Sequence, residues 1–212
     1  MATNLILVLV VLTNLKLLAS SRLGASIRVV AAQGMVLGLL PVLAHVHELS
    51  LHFAAMAVGT IVLKGMVFPW LLFRALREAE VTREVEPYVG YITSILVGLM
   101  ALAASFWLGG RLPVATVGVS PLLVPSAMFS ILAGLFLIVA RKRAVNQVLG
   151  FLVLENGIYT FGVGVLAETP FLVELGVLLD AFVAVFVMGI AVYHINREFD
   201  HIEVDRLDRL KG

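Results

Sequence analysis

Seven stretches of this chain are apolar for long enough to cross a hydrocarbon core of about 30 Å, which takes roughly 17 to 25 helical residues each, polar ends included. They fall at residues 4–19, 28–46, 52–74, 88–108, 120–140, 144–166 and 171–195. A segment in lipid has no water to satisfy its backbone, so each stretch reads as a helix and the fold class as all-α: a polytopic bundle of seven transmembrane helices. Of the residues, 61% are hydrophobic and 14% charged, against about 25% charged in a soluble domain. The apolar excess must face lipid. Cys is absent, which excludes disulfides, thiolate metal sites, cysteine-ligated iron–sulfur clusters and a cysteine nucleophile in this polypeptide. The net charge of +1 gives no footprint for a nucleic-acid partner.

Where the charges sit is more informative than their sum. Lys and Arg outside the spans gather in alternate connections: Arg22 and Arg28, then Arg74, Arg77 and Arg83, then Arg141, Lys142 and Arg143, then Arg197, Arg206, Arg209 and Lys211 in the tail. Twelve fall on that side and Arg111 alone on the other. Basic loops stay in the cytoplasm, so the amino terminus is expected outside and the carboxyl tail inside. The first stretch has no basic leader before its apolar run, with Lys16 near its end and Arg22 after it, and is expected to be retained rather than cleaved. The expected organisation is one membrane domain, with a four-helix segment at 1–112, a three-helix segment at 113–198 and a cytoplasmic tail at 199–212. The longest connection, 74–87, mixes four Glu with three Arg and is expected to prolong the third helix into water.

Three charged residues remain at membrane depth: Lys64, Glu155 and Asp180. At 1.5 Å per residue each lies roughly 14 to 17 Å from its nearer span end. A charge there costs about 2.5 to 3.5 kcal/mol on insertion scales, so such groups face the bundle interior and mark pathways. The short turn at Glu168, Thr169 and Pro170 makes the last two spans an antiparallel hairpin. Glu155 and Asp180 are thereby brought face to face, offset by about 6 Å along the axis at helical rise. Two bare charges side by side in low dielectric repel, so the pair is expected to hold at least one proton. The bland alternative is that these groups only tie helices together, with neutral carboxyls bonded across an interface or Lys64 paired with Asp180. Glu174, His45 and His52 are the candidate accessory groups on the outer side. Glu168 and Glu174 read more simply as solvated edges, and His45, His47 and His52 as an interfacial loop rather than a metal site. Gly34 and Gly38 form a small-xxx-small pair, a general helix-packing device. Gly157, Gly162 and Gly164 are expected to leave the outer half of the sixth helix thin enough to admit water beside Glu155.

The run Gly150-Phe-Leu-Val-Leu-Glu155-Asn-Gly157, followed by Leu175-Gly-Val-Leu-Leu-Asp180-Ala-Phe-Val-Ala-Val-Phe, resembles component E of hydrogenase-4-type complexes. The resemblance extends to Leu63-Lys64-Gly-Met-Val-Phe-Pro69 and to the closing Leu210-Lys211-Gly212. That family is itself similar, over its last three spans, to the small subunit K of respiratory complex I and to the C subunit of multi-subunit cation/proton antiporters. The resemblance implies that Glu155 and Asp180 occupy the places of two membrane carboxylates that serve proton transfer, Asp180 with a side chain one methylene shorter. Lys64 has no counterpart in subunit K and looks like a feature of the longer family.

The function this implies is a non-catalytic membrane subunit of an energy-converting redox complex resembling hydrogenase-4 or formate hydrogenlyase, in the cytoplasmic membrane of a prokaryote. Its partners would be antiporter-like membrane subunits, and no cofactor is expected in this chain; a nickel–iron centre and iron–sulfur clusters would lie in partner subunits. Two rivals stay open: a subunit of a dedicated cation/proton antiporter, and a structural scaffold with no proton path. In the tail, Ile202, Val204, Leu207 and Leu210 are regular enough to dock on a cytoplasmic partner. The charge partition yields a direct test: reporter fusions placed after Arg111 and after Lys211 should report opposite sides of the membrane, and a common side would refute the seven-span topology.

Overall fold

The computed structural model describes residues 2–40, 51–78, 87–112 and 120–165. Every regular element among them is helical: α1 (Ala2–Ala19), α2 (Leu23–Gly38), α3 (Leu51–Val62), a π turn (Leu63–Val67) leading straight into α4 (Phe68–Glu78), α5 (Tyr91–Gly109), α6 (Leu123–Ala140) and α7 (Ala144–Val165). Four stretches, Ala2–Ala19, Ala57–Arg77, Tyr91–Gly109 and Leu123–Ala140, are long and apolar enough to cross a membrane, and α2 is a shorter apolar helix. The all-helical expectation therefore holds over the described residues. The count of seven is not reached there, because the span expected at 171–195, with Glu174 and Asp180, lies outside the described residues. So do His45, His47 and the tail; His52 falls on α3.

Two helix boundaries differ from those read in the sequence, for identifiable reasons. α2 begins at Leu23 rather than at 28, and Arg28 rides on it exposed. A long side chain can carry its charge outward while its stem covers apolar surface, so Arg28 need not mark a helix end. α2 stops at Gly38, capped at Leu39, instead of running to 46. Glycine is a poor helix former, and Pro41, two residues past the cap, has no N–H to extend the ladder. The third rod continues past Arg74 to Glu78, in the direction expected of a solvated extension.

The basic connections of the first and fifth expected spans meet at one end of the bundle. Arg141, read in the sequence as a loop residue, is 1% exposed. Its Nη2 donates to the carbonyl of Leu18 at 2.6 Å, and its guanidinium lies 4.6 Å from the centre of the Tyr91 ring. The last carbonyls of a helix have no partner within it, and Arg141 satisfies one of those of α1 while bridging to the first turn of α5. Val89 N–H reaches the carbonyl of Ala140 beside it. At the opposite end Arg111 stacks over Trp107 at 4.0 Å.

Between these ends, Leu17, Leu18, Ile27, Val30, Phe68, Leu72, Phe129, Leu137, Val148 and Val153 form one buried cluster. Helices of both expected segments thus share a core. α5 shows the pattern a lipid environment favours: Ile92, Leu96, Met100 and Trp107 are exposed, while Ser94, Gly98 and Ser105 are buried. The hydroxyls of Ser94 and Ser105 donate to carbonyls four residues back, so small polar residues line the inner face without an unmet bond.

The closest packing joins α6 and α7. A Cβ added at Gly134 would meet the backbone of Leu154 and the carbonyl oxygen of Gly150 at 2.6 Å; one at Gly157 would stand 2.7 Å from the Ile131 nitrogen. Gly157 therefore does not open a thin, wettable stretch of helix, as its sequence context suggests; it seats α7 against the backbone of α6. Backbone alone crowds Gly134, and backbone with the Ile131 side chain crowds Gly157, so a methyl group at either must push the helices apart, at a cost of about 1 to 3 kcal/mol. Gly134→Ala should lower the detergent melting temperature of the chain by several degrees, whereas Gly59→Ala, with nothing within 4 Å of the added carbon, should not.

Candidate functional site

Lys64 sits in the π turn, where Phe68 N–H donates to the carbonyl of Leu63 five residues back. Pro69 supplies the reason for the wider turn. It has no N–H for the carbonyl of Gly65, four residues earlier, and its ring crowds that carbonyl in an ordinary α-helix. Helix α2 makes room for the lysine: a Cβ at Gly34 would lie 2.5 Å from Lys64 Cβ, and one at Gly38 would lie 2.7 Å from Ile61 Cγ1. Within the small-xxx-small pair, Gly34 passes the stem of Lys64 across the face of α2 and Gly38 seats Ile61 one turn further on.

Freed in this way, the side chain enters the bundle and ends at α7. Lys64 Nζ lies 2.6 Å from Glu155 Oε1, with the two side chains 5% and 3% exposed. It also donates to Asn156 Oδ1 at 3.0 Å and stands 5.2 Å from the centre of the Tyr159 ring. Glu155 and Asn156 are consecutive, so their side chains leave the helix about 100° apart, and the ammonium fills the fork between them. Glu155 Oε2 is buried and has no hydrogen-bond partner among the described residues. The carboxylate thus has one oxygen held by a cation and one without a partner among the described residues. Of the three expected relay residues, two meet directly, and the structure pairs Lys64 with Glu155. Asp180, Glu174 and His45 lie outside the described residues.

Behind the ion pair runs a chain of neutral polar groups that the sequence reading did not single out. Asn156 Nδ2 donates to Gln33 Oε1 at 3.2 Å, and Gln33 Nε2 donates to Asn14 Oδ1 at 2.8 Å. Asn14 Nδ2 then donates to Ser130 Oγ at 2.8 Å, whose hydroxyl donates to the carbonyl of Ser126 at 2.9 Å. Asn14, Gln33, Ser130 and Asn156 are all buried. The signal was present in the sequence: an amide inside an apolar span is costly without a partner, so Asn14, Gln33 and Asn156 had to find one another or something else. Among the described residues no group of three or more His, Asp or Glu could hold a metal ion.

A helical bundle of apolar outer faces, closed around a buried lysine, carboxylate and amide cluster, defines a multi-pass membrane protein with an ionisable interior. The family model of NADH-ubiquinone/plastoquinone oxidoreductase chain 4L matches residues 122–212, the part that contains Glu155. Over 190 residues, 89% of this chain and 86% of the relative, it is 33% identical to the uncharacterized protein Rv0085 of Mycobacterium tuberculosis. It is also 33% identical to hydrogenase-4 component E of Escherichia coli and of Shigella flexneri, over 120 residues, 56% of this chain and 55% of theirs. The chain belongs to one family with the mycobacterial protein and is a homologue of hydrogenase-4 component E. No solved structure matches it.

A buried ion pair is strongly destabilised by losing one partner, by about 3 to 5 kcal/mol, yet much less by losing both. Lys64→Met should therefore unfold in detergent well before the parent chain, and Lys64→Met with Glu155→Gln should recover most of the loss. A double variant no more stable than Lys64→Met would mean that the two groups are not energetically paired.

Proposed function

We propose that this chain is a non-catalytic membrane subunit of a hydrogenase-4- or formate-hydrogenlyase-like complex in the cytoplasmic membrane of a prokaryote. In this reading its amino terminus lies outside and its tail in the cytoplasm. Glu155 and Asp180, with Lys64, pass protons laterally between antiporter-like neighbours, while partner subunits hold a nickel–iron centre and iron–sulfur clusters and carry the electrons. The observation that carries the reading is the buried Lys64–Glu155 pair, 2.6 Å apart, with the second carboxylate oxygen unmatched among the described residues. A purely structural tie would be expected to use both oxygens, since an unmet polar atom in the interior costs stability. Homology to component E and to the chain 4L family supports the setting.

A relay carboxyl must take up and release a proton in turn, and in this reading Lys64 is the counter-charge held beside it. Asp180, expected on the following helix, would be the next station. Small packing residues and satisfied amides would give the same bundle its rigidity under the scaffold reading, so removing titration is the decisive comparison between the two.

Glu155→Gln and Asp180→Asn keep volume and hydrogen bonding but cannot titrate. In membrane vesicles carrying the assembled complex, each should abolish redox-driven proton-gradient formation while leaving electron transfer to artificial acceptors in place. Undiminished gradients in both variants would end the relay reading. A complex that copurifies without any redox subunit would assign the chain to an antiporter instead.

A further inference from the structure

We propose that Asn14, Gln33 and Asn156 are positioning residues: they form a one-way chain of amides that holds the Lys64 ammonium against Glu155. The consequence for proton transfer rests on the relay reading above, whereas the holding itself does not depend on it.

The polarity of the chain follows from its two ends. A charged lysine can only donate, so Asn156 must present its oxygen to Lys64 Nζ, which leaves its NH2 to face Gln33 Oε1. Gln33 is then bound to offer its own NH2 to Asn14 Oδ1, and Asn14 its NH2 to Ser130 Oγ. At the far end the Ser130 hydroxyl gives its hydrogen to the carbonyl of Ser126, a group that can only accept. A donor-only cation and an acceptor-only carbonyl therefore lock every amide between them in one orientation. Turning any single amide would set oxygen against oxygen and nitrogen against nitrogen at two junctions. The links come from α1, α2, α6 and α7, so all four helices fix the place of one ammonium.

The same chemistry says what the chain does not do. A neutral amide neither releases its N–H nor stably accepts a proton near neutral pH, so the chain does not conduct. Its oriented dipoles place an acceptor on Lys64, and Gln33 stiffens Asn156 in that role. Without it, the four-carbon stem of Lys64 has rotamers to explore, and the ammonium leaves the fork between Glu155 and Asn156 for part of the time.

Chemical modification of Lys64 in the full chain, in its native membranes, tests the holding. Acetic anhydride crosses lipid, and peptide masses give the acetylated fraction at Lys64 with the exposed Lys16 as internal reference. Asn156→Leu, similar in volume but with no acceptor, should raise acetylation of Lys64 several-fold relative to Lys16, and Gln33→Met should raise it less. Asn156→Asp, which keeps an oxygen toward the ammonium, should restore protection. Unchanged labelling of Lys64 in Asn156→Leu, or equal labelling in the Leu and Asp variants, would overturn the proposal. In vesicles, Asn156→Leu combined with Lys64→Met should pump no worse than Lys64→Met alone, because the asparagine acts through the lysine; additive losses would also overturn it. Gradients undiminished in both Glu155→Gln and Asp180→Asn would remove the relay reading and leave the labelling result to stand or fall by itself.

Discussion

One ammonium in the middle of the bundle organises most of what surrounds it. Burying Lys64 is tolerable only because Glu155 and Asn156 meet it on one side and the Tyr159 ring lies within reach, since desolvation of an isolated cation would cost several kcal/mol. That requirement runs outward through the structure. Gly34 lacks a side chain so that the lysine stem can pass. Pro69 and the π turn set the lysine's helix at the needed phase. Three amides on three helices are aligned by the single direction in which a lysine can donate. The ion pair also joins the amino-terminal half of the chain to the segment matched by the chain 4L family, making the two halves one electrostatic unit.

The remaining architecture holds that unit in lipid. Glycines on α6 and α7 bring two backbones into direct contact, which fixes Glu155 relative to Ser130 more tightly than interlocking side chains would. Arg141 closes the basic end by taking a carbonyl of α1 and lying over an aromatic ring of α5. α5 turns large apolar side chains outward and small ones inward, the inverse of a soluble helix. Within a membrane this arrangement is the stable one, because packing rather than water drives helices together.

The sequence announced the large features and concealed the directional ones. Apolar runs identified the helices because lipid allows no other way to satisfy a backbone, and a charged residue at mid-span stands out for the same energetic reason. Lys64 and Glu155 were legible on those grounds. Their mutual contact was not, because the sequence offered two carboxylates and no measure of which one the lysine would reach. Asn14, Gln33 and Asn156 escaped notice since an amide in a span is common, and its importance appears only when three of them line up. Arg141 looked like one more cytoplasmic charge; its burial depends on the nearby end of α1 and the position of Tyr91, neither visible along the chain. Gly157 was misread because a glycine that loosens a helix and one that lets two helices touch look alike until the neighbour is known.

The π turn has an effect on the outside of the protein as well. Val58, Val62, Met66 and Trp70 are all exposed and spaced four residues apart. On an uninterrupted α-helix, steps of four overshoot a full circle by about 40° each, so such a row would wind away from its starting direction. The wider turn advances less per residue and takes back part of that drift. Across Leu63–Val67 the row is straightened into a stripe nearly parallel to the rod. One local expansion of the backbone therefore does two jobs at once, turning a cation inward and ruling a straight apolar edge along the opposite flank.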